Sequence, residues 1–136
     1  ANGGEKLYPL SLVASGGEIS RVMLALATTI SNHYDAQTIV FDEIDSGTSG
    51  QTGDKIGKKL KKLSAQKQII SISHLAQIAS SADTHIKIYK EIIKGRSVTK
   101  AKQLNLKEHI EEIATIISGE KITEHAIKHA RELVRN

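Results

Sequence analysis

Ser15-Gly16-Gly17-Glu18, Asp42-Glu43 and His74 are the positions whose residue types and surroundings can do chemistry. A glycine pair ahead of a helical pattern leaves backbone N–H groups unobstructed, and the helix dipole adds partial positive charge. With the Ser15 hydroxyl these groups make an anion site that suits a phosphate. The same four residues also suit an ordinary helix after a glycine turn, with Ser15 as N-cap and Glu18 at the positive end of the dipole. Further on, the apolar run Ile39-Val40-Phe41 delivers two adjacent acids, Asp42 and Glu43. Successive residues point in different directions, so one carboxylate can reach a metal shell while its neighbour faces an attacking water. The plain alternative is a strand that ends in solvated acids. His74 closes a second apolar run. Its imidazole can donate to a phosphate oxygen or orient a water, although a lone histidine is more often structural.

The remaining histidines carry less. His125 and His129 stand at i, i+4 on a helical pattern, a spacing that two metal ligands use, but no third ligand is evident and an exposed helix face is expected. His33, His85 and His109 show no pairing in the sequence.

These residues need elements to hold them. The stretch Ala1 to Pro9 reads as a loop, and Leu10 to Val13 as a short strand. Ile19, Val22, Met23, Leu26 and Ile30 recur at helical spacing, so a helix is expected from Ser15 to about Asn32. Thr38 to Phe41 is a β-branched apolar run, the mark of a buried parallel strand. The loop Asp45 to Gly50 follows, then a helix from Thr52 to Ser64 and a second buried strand from Gln68 to Ser73. A short helix over Ala76 to Ser81 precedes a hairpin of His85 to Tyr89 and Ser97 to Leu104, turning at Lys94-Gly95. Helices over Leu106 to Ile117 and Glu124 to Val134 close the chain, broken at Gly119. This alternation predicts an α/β fold, mainly a parallel sheet flanked by helices, with a β-hairpin and two C-terminal helices, all in one domain spanning 1–136. Asp42, Glu43 and His74 fall at the carboxyl ends of its strands, where such sheets place their sites.

Composition sets the bounds. The 136 residues are 39% hydrophobic and 25% charged, as expected of a globular domain. Aromatics are only 3%, so Ile, Leu, Val and Ala must make the core. The absence of cysteine excludes disulfides and thiolate metal sites, and suits a reducing cytoplasm. No apolar run approaches the roughly 20 residues that span a bilayer, and no membrane partner is expected. Charge is uneven: residues 1–50 hold six acidic and two basic side chains, residues 51–136 nine acidic and seventeen basic. A basic second half can neutralise nucleic-acid phosphates. However, Lys55, Lys58, Lys59, Lys61 and Lys62 interleave with Ile56, Leu60 and Leu63 at helical spacing, and read as the wet faces of one helix.

The order of the three motifs adds what none carries alone. S-G-G-E at a helix start, a strand ending in Asp-Glu and a strand ending in His resemble the second half of an ABC-type ATPase head: signature motif, Walker B, D-loop and H-loop. Transporter cassettes usually end the signature in Gln, whereas here it ends in Glu18 and runs on as Ile19-Ser20-Arg21-Val22-Met23-Leu24-Ala25-Leu26. With Asp42-Glu43-Ile44-Asp45-Ser46-Gly47-Thr48-Ser49-Gly50, Ser73-His74-Leu75-Ala76-Gln77-Ile78-Ala79 and His129-Ala130-Arg131-Glu132-Leu133, the sequence resembles the RecN family of SMC-like ATPases in bacterial double-strand-break repair. The resemblance implies the C-terminal lobe of a P-loop NTPase head, with ATP and Mg²⁺ as cofactors. It implies that Ser15, Gly16, Gly17 and Glu18 serve ATP held by a partner head, and that Asp45 and its loop lie at the interface between heads. It gives Asp42 to Mg²⁺, through water, Glu43 to the attacking water, and His74 to the γ-phosphate. The implied partners are the lobe's own P-loop half, a second head joined through ATP, and DNA, in the cytoplasm at the nucleoid.

No G-x-x-x-x-G-K-[ST] occurs in the sequence; Gly57-Lys58 lacks both the strand and the second glycine. Nothing in cis would grip the β- and γ-phosphates. The chain is therefore expected to be a C-terminal piece of a longer ATPase, inactive alone. A non-catalytic DNA-binding or dimerisation module and a transporter ATPase subunit are the competing readings.

Overall fold

The computed structural model describes residues 8–30, 35–119 and 121–135. His33, the expected helix end near Asn32 and most of the N-terminal loop fall outside them. Thr38–Phe41 forms β1 and Gln68–Ser71 forms β2, paired in parallel with Val40 opposite Ile70 and Phe41 opposite Ser71. The Ile72 N–H donates to the Phe41 carbonyl at 2.9 Å, extending the ladder by one link. Helix α3, Gly50–Ser64, makes the crossover between them. Its Ile56, Leu60 and Leu63 are buried and its lysines face outward, as the spacing requires.

Helix α2, Gly16–Ile30, lies against this unit. Gly17, Leu24 and Ala27 are buried, while Ile19, Val22, Met23, Leu26 and Ile30 are exposed. The helix carries apolar residues on two faces, and only the smaller, flatter one fits closely against β1 and the turn after it. Leu24, Ala27, Phe41, Ile44, Ile56, Leu60, Leu63 and Ile78 make the first core cluster.

Leu10–Val13 is a four-residue helix, α1, rather than a strand. Pro9 presets a helix-compatible φ, and its carbonyl accepts the Leu12 N–H at 2.9 Å. The parallel strands are also less covered than expected. Phe41 is buried and Ile39 and Ile69 are half-buried, but Val40 is 58% exposed, Ile70 46% and Ile72 56%. Helices shield one face of the pair only.

Helix α4, Ala76–Ala79, packs on α3 across small residues. A Cβ built on Gly57 would lie 3.0 Å from the Gln77 carbonyl oxygen, so a side chain there would push the two helices apart. Strands β3, Ile86–Ile93, and β4, Arg96–Gln103, form the expected hairpin, longer than predicted because pairing runs to the turn. Lys94 and Gly95 both take positive φ, 49° and 75°, the pattern of a two-residue turn that matches strand twist. Helices α5, Leu106–Ser118, and α6, Glu124–Arg135, close a second cluster of Ala76, Ile113, Ala114, Ala126 and Ala130. Asn105 and Glu108 cap α5 reciprocally.

The hairpin is pinned to α5. Lys87 pairs with Glu112, and Lys102 with Glu108 at 2.7 Å. His85 and His109, unpaired in the sequence reading, meet Nδ1 to Nδ1 at 2.9 Å with their rings nearly perpendicular. Residues 24 positions apart on a strand and a helix leave no local pattern that announces such a pair.

Candidate functional site

The start of α2 is closed by a carboxylate of the chain's own, that of Glu18. The Ser15 N–H donates to Glu18 Oε2 at 2.8 Å and its hydroxyl to the same oxygen at 3.0 Å, while the Glu18 N–H returns to Ser15 Oγ at 3.3 Å. S-G-G-E is therefore a capping box, and the ordinary helix-cap reading is realised in its details. The bond from the Ser15 N–H, then the one from its hydroxyl, hold the Glu18 carboxyl below its ordinary range. Ser15 and Gly16 remain exposed at the helix start.

The acids follow directly on the end of β1. Phe41 goes inward, and Asp42 and Glu43 emerge into solvent. The chain then turns sharply. Glu43 sits at φ 51°, in the left-handed region that a non-glycine residue enters only when its surroundings hold it there. The Ser46 N–H closes the turn on the Glu43 carbonyl at 2.9 Å. Helix α2 lies hard against this turn: a Cβ on Gly17 would stand 2.7 Å from the Glu43 carbonyl oxygen, and one on Gly16 3.6 Å from Glu43 Oε2. The fold thus brings the start of the signature helix and the Glu43 carboxylate together.

Asp45 is 2% exposed, and its side chain faces into the lobe. Its Oδ2 accepts from Ser73 Oγ at 2.7 Å, from the His74 N–H at 2.8 Å and from the Leu75 N–H at 3.0 Å. The His74 ring approaches the same oxygen through Nδ1, at 3.1 Å. Burial pushes the Asp45 carboxyl up, but the Ser73 hydroxyl and the His74 N–H outweigh it, leaving the group below its ordinary value. The His74 side chain, 80% exposed, extends beyond this clasp into solvent.

Ser20 and Arg21 were not singled out in the sequence, yet both grip the turn. Ser20 Oγ donates to the Asp42 carbonyl at 2.7 Å. Arg21 Nη1 donates to the carbonyls of Ser46 at 2.8 Å and Ile44 at 3.2 Å. Helical spacing from Gly17 was the available signal, because positions 17, 20, 21 and 24 share one face.

Among the described residues no three His, Asp or Glu side chains converge as metal ligands. An open groove of about 530 Å³ flanks α2 between Val13, Glu18, Arg21 and Val22, on the side of the exposed apolar stripe and away from Asp42. No described helix is long and apolar enough to cross a membrane.

No family model matches the chain. It is 47% identical over 133 residues to the DNA repair protein RecN of Halalkalibacterium halodurans, and 45% identical over 134 residues to that of Bacillus subtilis. The RecN of Deinococcus radiodurans is likewise 45% identical. Each match covers 98% of this chain but only 23–24% of the relative, so the chain spans about a quarter of those proteins. Among solved structures, an SMC ATPase described for ATP-driven dimerization and DNA-stimulated activation superposes with a TM-score of 0.58. It covers 87% of this chain and 70% of its own, at 23% identity. The Smc head of Pyrococcus furiosus bound to the C-terminal domain of ScpA gives 0.55 at 24% identity, covering 85% of this chain and 28% of that one. The chain is RecN-like in sequence and SMC-head-like in fold.

Proposed function

We propose that this lobe is the signature-bearing half of an SMC-like ATPase head that acts in recombinational repair of DNA double-strand breaks. One observation carries the reading: an exposed Asp-Glu pair at a parallel strand's end, its glutamate set against the glycines of an anion-binding helix start. Ser15, Gly16 and Gly17 offer donors to the γ-phosphate of ATP on a partner head. Glu43 orients the attacking water and takes its proton, and the exposed face of His74 meets the γ-phosphate. Asp42 is the carboxylate for Mg²⁺, which takes few protein ligands beside phosphate oxygens and water, and one exposed acid fits that need. The ion supplies charge neutralisation on the phosphates. Because the Asp45 carboxylate is internal, its loop would meet a partner head through exposed Gly47 and Ser49 instead.

The phosphate grip must come from a P-loop-bearing half. A parallel pair with Val40, Ile70 and Ile72 exposed supports that, since parallel sheets are normally covered on both faces. Alone, the lobe is inactive. DNA is the partner of the whole protein, in the cytoplasm at the nucleoid. The exposed lysines of α3 favour a DNA contact, which would weaken steeply with salt. The test joins the lobe to a P-loop-bearing half and measures ATP turnover. Glu43→Gln should abolish turnover while nucleotide binding survives, and unchanged turnover would overturn the reading.

A further inference from the structure

We infer that Arg21, with Ser20, is a positioning residue for Glu43, so that the placement of the water-activating carboxylate depends on the signature helix. This rests on the ATPase reading above and extends it to residues which that reading leaves without a role.

The second half of the segment from Asp42 to Ser46 is anchored by the buried Ile44 and by the Asp45 clasp, but the backbone at Glu43 itself has little of its own to fix it. It lies beyond the end of β1, and one internal hydrogen bond, Ser46 N–H to the Glu43 carbonyl, closes its turn. At its centre Glu43 holds a left-handed φ of 51°, which an unconstrained glutamate leaves readily. On the Glu43 side of the turn the further constraint comes from α2. Ser20 Oγ holds the carbonyl before Glu43, and Arg21 Nη1 holds the carbonyl after it together with that of Ser46. Gly17 lets the helix come close enough for these bonds, because any Cβ there would collide with the Glu43 carbonyl and Ser46 Cβ. The donor that reaches two carbonyls is charged, and charge-assisted hydrogen bonds are the stronger kind. Arg21 is half-buried, so its charge is directed onto these oxygens and toward Glu18.

Gly17, Ser20 and Arg21 thus form one rigid face of the helix whose first turn meets the partner's nucleotide. A shift of α2 on engagement of the signature loop moves the carbonyls flanking Glu43, and its carboxylate with them. Arg21 touches no reacting atom; it acts through the turn.

The experiment uses the lobe joined to its P-loop half and compares Arg21→Gln, Arg21→Lys, Ser20→Ala and Glu43→Gln. Arg21→Gln should lower kcat by about tenfold or more, as small misplacements of catalytic groups do, with KM for ATP nearly unchanged. Arg21→Lys should recover most of the loss, because an ammonium can donate to both carbonyls. Ser20→Ala should show the same split, less severely, and serves as the test if Arg21→Gln fails to fold. If Glu43→Gln abolishes turnover while Arg21→Gln and Ser20→Ala leave kcat unchanged, or change KM and kcat alike, the inference is overturned and the ATPase reading stands. If Glu43→Gln itself leaves turnover unchanged, both fall.

Discussion

The carboxylate of Asp45 accepts the backbone N–H of His74 at 2.8 Å, joining the loop after one parallel strand to the end of the other. Ser73 Oγ and the Leu75 N–H converge on the same oxygen, so His74 leaves the sheet along a path that Asp45 fixes. The motif that carries Glu43 and the motif that ends in His74 cannot move independently while this clasp is closed.

Asp45→Ala tests the clasp. The substitution leaves the half-buried Ser73 hydroxyl and the His74 N–H without their acceptor, while the Leu75 N–H keeps Ser73 Oγ at 3.1 Å, at a cost of about 1–3 kcal/mol. Denaturant unfolding of the 136-residue chain measures it, and amide exchange at His74 and Leu75 should accelerate more than in α5. A loss under about 0.5 kcal/mol, the range of ordinary surface changes, would refute the clasp. The pH dependence has a definite sign. The folded pKa of Asp45 lies below its unfolded value, so its contribution is complete above the unfolded pKa of about 3.9 and disappears as pH falls through the folded one.

The inward turn of Asp45 shows where sequence reasoning reaches its range. The exposure of Asp42 and Glu43 was legible because two adjacent acids at the end of an apolar run must leave the core, although the left-handed turn at Glu43 was not. Asp45 sits in a Ser- and Gly-rich loop, and its donors lie 28 to 30 residues away, so only the tertiary fold tells whether it faces out or in. Helix α2 was legible as a helix but not in its orientation. Its spacing marks an apolar stripe, whereas the face packed on the turn after β1 is the one bearing Gly17, Ser20 and Arg21, which supplies hydrogen bonds and close approach.

The two signature glycines should differ under the same substitution. Gly17→Ala places a methyl 2.7 Å from the Glu43 carbonyl oxygen and 2.8 Å from Ser46 Cβ, and overpacking of this kind costs about 1–3 kcal/mol. Gly16→Ala meets only the Glu43 carboxylate, at ordinary contact distance, and should leave the lobe's stability nearly intact. Melting temperatures of the two variants separate the cases; equal losses would contradict the close approach of α2.

Acidification should loosen the hairpin. The buried His109 ring and its partner His85 share one hydrogen bond between Nδ1 atoms, which needs at least one of those nitrogens bare. Burial lowers the pKa of both rings. Lys87 lowers His85 further while Glu112 opposes it, and His85 lowers His109 while the Ser80 backbone opposes it. With folded values below the unfolded value of about 6.5, the unfolded chain binds more protons as pH falls, and stability is lost. Melting temperature should therefore drop between about pH 7 and pH 5, more steeply than in His109→Gln, where one titrating ring is gone. Parallel slopes would exclude the pair as the cause.

Ser15 has two claimants, and substitution should tell them apart. In the lobe its hydroxyl donates to Glu18, while a γ-phosphate arriving at the helix start would take the same donor. Ser15→Ala removes the N-cap acceptor of the Glu18 N–H as well, which typically costs about 1 kcal/mol of helix stability. Glu18→Gln keeps a side-chain acceptor for the Ser15 N–H and should cost less. The order should widen when ATP-dependent association of heads is measured in the protein joined to its P-loop half. Loss of the hydroxyl removes a phosphate donor, whereas loss of the Glu18 charge removes an anion that competes for it. Ser15→Ala should therefore weaken association, and Glu18→Gln should leave it intact or strengthen it. The opposite order would mean that Glu18 supports the nucleotide directly, and that the capping box opens before ATP is bound.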